Sequence, residues 1–204
     1  MSYFPMFIEL KDKCCLVVGG GAVAYRKVKV LKEFGAKLLV VAPEIIPEIQ
    51  VQVGVVCQER EMEMSDLRGQ ELVVTATDDK MLNHRIAEEC RKRNIPINAV
   101  DQIEDCSFIF PAYLKQGEVV AAFSSGGNSP VITQYLKKHT SPLITEHLGK
   151  LADCLGRLRE EVKCCVPTEE ERKQVYLKLL ESSLSEEKLP TEEEIQQLIC
   201  KYKG

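Results

Sequence analysis

Three consecutive glycines, Gly19-Gly20-Gly21, restrict the fold of this 204-residue chain more than any other feature of its sequence. They directly follow Cys14–Val18, an apolar run with the length of a buried strand. Residues 22–34 then carry apolar side chains close to helical spacing, and a second apolar run occupies residues 38–42. This order predicts a strand, a tight glycine turn, a helix and a second strand parallel to the first.

The alternation of strands and helices continues through the first half of the chain. Valines alternate with other residues over positions 51–55, apolar runs occupy positions 72–76 and 95–100, and a helix is predicted over residues 82–94. Continuous apolar strands between amphipathic helices are typical of a parallel sheet covered on both faces. We therefore predict an α/β fold with a Rossmann-like parallel sheet domain over residues 1–111.

The pattern changes in the second half of the chain. Strand-like runs at residues 108–114 and 119–123 enclose a polar turn and predict a hairpin. From Ser129 onward only helical signals remain. The segment from Ser129 onward is predicted to hold about four helices. We predict a region of hairpin and helix over residues 112–140, followed by an all-helical C-terminal domain over residues 141–204.

Capping residues mark four helix starts in this second half. Serine followed by proline is typical of an N-cap and the first helical position, and threonine with glutamate three residues later fits a capping box. The four patterns are Ser129-Pro130, Ser141-Pro142, Thr168 with Glu171, and Thr191 with Glu194.

The composition argues against several classes of protein. A net charge of −4 lacks the basic surplus of a nucleic-acid-binding protein, and no apolar run approaches the ~20 residues of a membrane span. Nine cysteines, an odd number without a C-x-x-C pair, argue against a disulfide framework and a structural zinc site. The first residues lack the basic and apolar regions of a signal peptide. We expect a cytoplasmic protein with no nucleic-acid or membrane partner.

The glycine turn fits the pattern G-x-G-x-x-A. Its first glycine allows the tight turn, the next glycine lets a pyrophosphate approach the backbone, and the small last residue lets the helix lie close to the sheet. The N-terminus of that helix directs N–H groups and a partial positive charge at the phosphates. We predict dinucleotide binding rather than a plain tight turn. The predicted binding residues are Gly19, Gly20, Gly21, Ala22, Val23 and Ala24.

Two further segments are expected at the same edge of the sheet. The loop Thr75-Ala76-Thr77-Asp78 is small and hydroxylated, which suits contact with a ribose or nicotinamide, while the neighbouring Asp79 would cap the next helix. The second strand ends at Pro43, a further predicted cofactor-binding residue, without the acidic residue that usually holds the ribose of NAD. No basic residue stands there for a 2′-phosphate either, which favours NAD over NADP.

Six motifs occur in a fixed order along the chain. They are residues 17–27, 76–79, 82–83, 98–101, 107–111 and 124–130. Together they resemble the precorrin-2 dehydrogenases of sirohaem synthesis, including the N-terminal part of bifunctional and trifunctional sirohaem synthases. The resemblance covers residues 3–160, and the helical tail beyond is divergent.

The resemblance implies an activity and an assembly. Members of this family oxidise precorrin-2 to sirohydrochlorin with NAD+ as hydride acceptor, and some also insert Fe2+. Their fold implies a homodimer in which residues 112–140 form the dimerisation region. The implied substrate is a tetrapyrrole that carries eight carboxylates.

The resemblance also singles out Asp101. In the matching motif this aspartate is the proposed general base, and it would be a metal contact if the protein also chelates metal; no other metal ligand is predicted. Because Asp101 follows the fifth predicted strand, we expect it in a partly desolvated crevice, where a raised pKa would let it accept a proton. The alternative is an aspartate that caps the turn before Glu104.

A second glycine loop precedes the helix that begins near Pro130. Backbone N–H groups and hydroxyls at a helix N-terminus suit the carboxylates of the implied substrate, although a flexible connector is the alternative. The predicted substrate-binding residues are Ser124, Ser125, Gly126, Gly127, Asn128 and Ser129. We expect the tetrapyrrole to lie between this loop, Asp101 and the dinucleotide.

Two other functions remain alternatives. The first is a bifunctional dehydrogenase and ferrochelatase, because the macrocycle supplies four nitrogen ligands and chelation needs few from the protein. The second is a non-catalytic NAD-sensing regulatory module, although such modules usually keep the acidic residue after the second strand.

Overall fold

A computed structural model of the chain describes residues 3–203. The chain divides into two compact units, the first ending at Phe110 and the second beginning at Pro111. The predicted further division of the second unit at residue 140 stays a prediction.

The first unit is built on a parallel sheet of five strands in the order β3-β2-β1-β4-β5. The strands are β1 Cys14–Val18, β2 Lys37–Ala42, β3 Val55–Glu59, β4 Leu72–Thr75 and β5 Ile97–Ala99. Central β1 pairs with β2 from Cys14 opposite Lys37 to Val18 opposite Val41. This arrangement confirms the predicted Rossmann-like sheet.

Helices cover both faces of this sheet. They are α1 Ala22–Glu33, α2 Pro47–Gln50 and α3 Lys80–Arg93. Alternate residues of β1 point to opposite faces, so Val17 packs with Val28 of α1 on one side. Leu16 packs with Ile86 of α3 on the other. The continuous apolar character of β1 follows from this burial on two sides.

The third strand begins later than predicted. Val51 and Val53 lie exposed in the turn between α2 and β3, and pairing with β2 starts at Val55. Gly54, with φ +81°, makes the turn that leads into the strand. The alternating valines therefore belong mostly to a loop, and the prediction of a strand over residues 51–55 was wrong in position.

The second unit begins with an antiparallel hairpin, β6 Ala112–Gln116 and β7 Val119–Phe123, as predicted. Five helices follow within the described part of the chain. They are α4 Pro130–Thr140, α5 Glu146–Arg157, α6 Arg159–Cys165, α7 Glu169–Glu186 and α8 Glu192–Tyr202. No described residue of α4 is buried.

Three of the four predicted helix starts are confirmed. Ser129 caps α4, and Thr168 and Thr191 form capping boxes with α7 and α8. The start at Ser141 was wrong. Ser141 ends α4, and α5 begins after Thr145, whose Oγ1 accepts a hydrogen bond from the N–H of Leu148.

Helices α6, α7 and α8 of the second unit share one apolar core. Seven buried side chains from α6, α7, α8 and their connections fill it: Leu158, Val162, Val166, Val175, Leu179, Ile195 and Ile199. Among residues 3–203, no helix is both long enough and apolar enough to cross a membrane.

Helix α5 packs against β6 through a glycine. A Cβ at Gly149 would lie 2.6 Å from the carbonyl oxygen of Gln116, whereas a Cβ at Gly156 in the same helix would meet no atom within 4 Å.

We expect Gly149→Ala to lower the free energy of unfolding by ~1–3 kcal/mol through overpacking. Gly156→Ala should raise it by up to ~1 kcal/mol through helix propensity. Urea unfolding followed by circular dichroism measures both, and equal effects of the two changes would contradict this packing.

Candidate functional site

The loops after β1 and β4 meet at the carboxyl edge of the sheet. The strand order reverses between these two neighbours, which is where open α/β sheets bind ligands. Gly19 has φ +123°, and a Cβ there would overlap the carbonyl oxygen of Ala76. The N–H of Ala76 donates to the carbonyl of Val18 at 2.7 Å. Glycine at position 19 therefore lets the two loops touch.

Gly20 makes a close contact within the protein. A Cβ at Gly20 would overlap the carbonyl oxygen of Glu44 in the loop after β2. The carbonyl of Gly20 also accepts a hydrogen bond of 3.0 Å from the N–H of Ile46. Gly20 therefore holds the loop after β2 against the glycine turn.

Gly21 faces open space. A Cβ there would meet no atom within 4 Å, and Gly21 is the N-cap of α1 without a capping side chain. The first N–H groups of a helix have no acceptor inside the helix, so the exposed backbone from Gly21 to Ala22 and half-buried Val23 fits a phosphate. Ala24 is fully buried and brings α1 close to the sheet.

The loop after β4 contributes hydroxyl groups. Thr75 is fully buried, and its Oγ1 has no hydrogen-bond partner among the described residues. A buried hydroxyl without a partner at this edge fits a polar ligand. Ala76 and Thr77 are half-buried and Asp78 is exposed, while Asp79 caps α3 by accepting from the N–H of Leu82 at 2.9 Å.

An arginine lies beside the end of β2, and the sequence reasoning missed it. Pro43 is exposed at this edge, and the N–H of Arg60 donates to the carbonyl of Ala42 at 3.0 Å. The Arg60 guanidinium makes two hydrogen bonds, of 2.6 and 2.8 Å, to the carboxylate of Asp66. This guanidinium lowers the pKa of the Asp66 carboxyl, so the pair stays ionised and the positive charge is compensated. In the sequence, the place of Arg60 could be inferred only from the position of β3, and β3 was predicted too early in the chain.

Asp101 follows β5 at the same edge. It has a left-handed backbone with φ 59°, which aspartate tolerates better than most residues. Its side chain is exposed within the first unit, so that unit by itself does not provide the predicted desolvation.

A half-buried lysine lies near Asp101 and had no assigned role in the sequence analysis. The Nζ of Lys27 lies 3.8 Å from the centre of the Phe110 ring. Burial lowers the pKa of Lys27 and nearby Arg26 lowers it further, while Cys106 and Asp101 raise it. Lys27 therefore brings a partly desolvated positive charge to this region.

The second glycine loop is held by its own serines. Ser125 Oγ accepts from the N–H of Ser129 at 2.9 Å, and Ser124 Oγ accepts from the N–H of Gly126 at 3.0 Å. Gly126 and Gly127 have positive φ values, and Asn128 is exposed. The N–H of Asn128 also donates to the carbonyl of Ser125 at 3.1 Å. The loop therefore uses the N–H groups of Gly126, Asn128 and Ser129 itself, and a ligand would meet its other N–H groups.

No group of three or more histidine, cysteine, aspartate or glutamate residues is placed to hold a metal ion within residues 3–203.

Residues 6–112 match the model of a protein family described as "Putative NAD(P)-binding". The match covers more than half of the chain. The chain belongs to this NAD(P)-binding family. The predicted dinucleotide class of cofactor is thereby confirmed for the first unit.

Curated relatives of the chain are siroheme synthases. That of Thioalkalivibrio sulfidiphilus is 39% identical over 189 residues, which is 91% of this chain and 39% of the relative. That of Photorhabdus laumondii is 42% identical over 166 residues, which is 80% of this chain and 35% of the relative. The chain thus spans about two fifths of the length of these relatives.

A solved structure named "SirC, precorrin-2 dehydrogenase" shares the fold. It has a TM-score of 0.72 and 21% sequence identity, and the match covers 98% of each chain. The predicted succession of a Rossmann-like sheet and a helical C-terminal region is confirmed.

Two glycines of this turn, Gly20 and Gly21, should differ in their effects on stability and on NADH binding. We expect Gly20→Ala to destabilise the fold by ~1–3 kcal/mol, because its Cβ has no space. Gly21→Ala should destabilise the fold less, by ~0.5–1 kcal/mol, because alanine is a poorer N-cap than glycine. It should weaken NADH binding about tenfold or more, because its Cβ occupies the open space at the helix N-terminus. Urea unfolding and NADH fluorescence titration measure the two effects. Full affinity in Gly21→Ala would contradict a phosphate site there.

Proposed function

We propose that this chain oxidises precorrin-2 to sirohydrochlorin with NAD+. The observation that carries the proposal is Asp101, placed at the same sheet edge as the glycine turn of an NAD(P)-binding family member. The identity of 39% to a siroheme synthase over 91% of the chain supports the choice of a tetrapyrrole substrate. Oxidation removes one hydride and one proton from the substrate.

Each part of the site has a separate task in this proposal. When bound, NAD+ supplies the hydride acceptor. The N-terminus of α1 binds its pyrophosphate, and the Asp101 carboxylate takes up the proton that leaves the substrate carbon. Lys27 offers a positive charge to a substrate rich in carboxylates. In the second unit, the N–H groups of residues 124–129 that the loop does not use itself would bind further carboxylates.

The choice of NAD over NADP is also part of the proposal. A 2′-phosphate at the end of β2 would need a positive charge. Arg60 is close to that position, but Asp66 already holds both ends of its guanidinium. The compensated arginine therefore favours the unphosphorylated ribose.

We further propose a homodimer in the cytoplasm. The side chains of Val131, Ile132 and Tyr135 on α4 are 78%, 54% and 59% exposed, which leaves an apolar face that a second copy would cover. All nine cysteines are free thiols, as expected in a reducing compartment. Sedimentation velocity of the purified chain tests the dimer, and a monomer at all concentrations contradicts it.

The activity is tested by mixing the purified chain with precorrin-2 and NAD+. Sirohydrochlorin and NADH should appear in equal amounts. We expect Asp101→Asn to lower kcat by about 10²–10⁴-fold with NADH affinity unchanged, because a general base contributes this much. Asp12→Asn is the matched control, since Asp12 is exposed and has a similar left-handed backbone with φ 63°.

Absence of sirohydrochlorin from the wild-type reaction would exclude the proposed activity. Equal turnover in Asp101→Asn would exclude only the role of that residue. A separate reaction of sirohydrochlorin with Fe2+ tests the additional chelatase activity.

Cofactor choice is tested at Asp66. Asp66→Asn removes the compensating charge from Arg60, so we expect kcat/KM for NADP+ relative to NAD+ to rise about tenfold, the worth of one charge-assisted contact. Adding Arg60→Ala to Asp66→Asn should abolish this rise. An unchanged ratio in Asp66→Asn would show that Arg60 does not reach the 2′ position.

A further inference from the structure

A chain of hydrogen-bonded side chains links the loop after β4 to the loop after β5. Thr77 Oγ1 donates to Asn83 Oδ1 at 2.7 Å, and Asn83 Nδ2 donates to Gln102 Oε1 at 3.0 Å. Gln102 Nε2 donates to Asp105 Oδ2 at 3.1 Å. Asn83, Gln102 and Asp105 are only 1%, 8% and 2% exposed. Buried polar groups placed this way strongly restrict each other's orientation.

The carboxylate at the inner end is held by two basic side chains. Asp105 Oδ1 lies 2.8 Å from Nδ1 of His84 and accepts from the Arg91 guanidinium at 3.1 Å. Arg91 is permanently charged, so the buried carboxylate has a charged partner.

All hydrogen bonds in the chain point toward this carboxylate. The Asp105 carboxylate accepts the hydrogen bond, so Gln102 turns its NH2 group to it and its oxygen to Asn83. Asn83 must then turn its NH2 group to Gln102 and its oxygen to Thr77. The direction of every donor therefore follows from one buried charge.

Backbone carbonyls accept hydrogen bonds from the same two amide nitrogens, so the orientation of each amide depends on two acceptors together. Asn83 Nδ2 also donates to the carbonyl of Thr77 at 3.0 Å, and Gln102 Nε2 donates to the carbonyl of Lys80 at 3.2 Å. A carbonyl oxygen can only accept, so neither amide can be reversed without losing these bonds.

The orientation decides what the Thr77 hydroxyl can offer to a ligand. Its single proton is used inside the protein, at Asn83 Oδ1 or at the more distant carbonyl of Asp79, 3.3 Å away. A hydroxyl that donates inward presents only lone pairs outward. Thr77 is thus prepared to accept a hydrogen bond.

We propose that Asn83, Gln102 and Asp105 are positioning residues that fix the Thr77 hydroxyl as an acceptor for a hydrogen-bond donor of the bound dinucleotide. A ribose hydroxyl and a carboxamide NH2 group both have this chemistry. The inference rests on the dinucleotide part of the proposed function and not on its tetrapyrrole substrate.

The test is a double-mutant cycle on NADH affinity. Gln102→Leu and Thr77→Val should each weaken NADH binding about five- to tenfold, the worth of one hydrogen bond. The double variant should be no weaker than either single one, because Gln102 acts through Thr77. Thr77→Ser keeps the hydroxyl and should bind NADH like the wild type.

Gln70→Leu is the matched control. Gln70 also has a buried side-chain oxygen, but it precedes β4 at the opposite edge of the sheet, so NADH affinity should not change. If Gln102→Leu does not fold, Asp105→Asn serves in its place. In Asp105→Asn the new side-chain amide no longer requires a donor from Gln102. NADH binding should therefore weaken, while circular dichroism should show that the fold is retained.

Additive losses in the double variant, or wild-type affinity in both Gln102→Leu and Asp105→Asn, would overturn the inference. So would a wild-type chain that binds no NADH. A chain that binds NADH with the expected cycle but does not oxidise precorrin-2 would refute the proposed reaction and leave this inference standing.

Discussion

The close approach of three loops through glycine backbone is the constraint on which the site depends. Gly19 lies against Ala76 and Gly20 lies against Glu44, so the loops after β1, β2 and β4 are in direct contact. Neither contact leaves room for a Cβ. The crevice at the carboxyl edge of the sheet can form only because these two positions have no side chain, while Gly21 leaves the space in front of α1 open.

The remaining features of the first unit extend from this crevice. The buried strands of the sheet hold the loops rigidly, because β1 is covered by α1 on one face and by α3 on the other. Beyond the glycine turn, hydrogen-bonded polar side chains line the edge of the sheet. Arg60 pairs with Asp66 near β2, and a hydrogen-bonded chain runs from Thr77 to Asp105 near β4 and β5. Apolar packing thus provides the support, and paired polar groups set the chemistry at the edge.

Local signals predicted most of the fold. Continuous apolar runs identified β1, β2 and β4, and capping residues identified the starts of α4, α7 and α8. Two errors have a common cause, because the same residues fit two local structures. Alternating valines occur in the turn before β3 as well as in strands, and a serine before proline can end a helix as Ser141 ends α4. Only tertiary contacts decide between such alternatives.

The candidate site was predictable only where it consists of one segment. The glycine turn and the loop after β4 are continuous motifs with a known chemical purpose. The pairing of Arg60 with Asp66, the position of Lys27 over Phe110 and the bond from Asn83 to Gln102 join residues that are apart in the sequence. Nothing in a single sequence indicates such partners.

The left-handed backbone at Asp101 limits which replacements evolution or the experimenter can use there. Asparagine and glycine tolerate this region, whereas β-branched or bulky residues would strain it. A longer acid such as glutamate can adopt this backbone, as Glu187 does with φ 53°, but it would move the carboxylate. The position therefore accepts a change of charge far more readily than a change of shape.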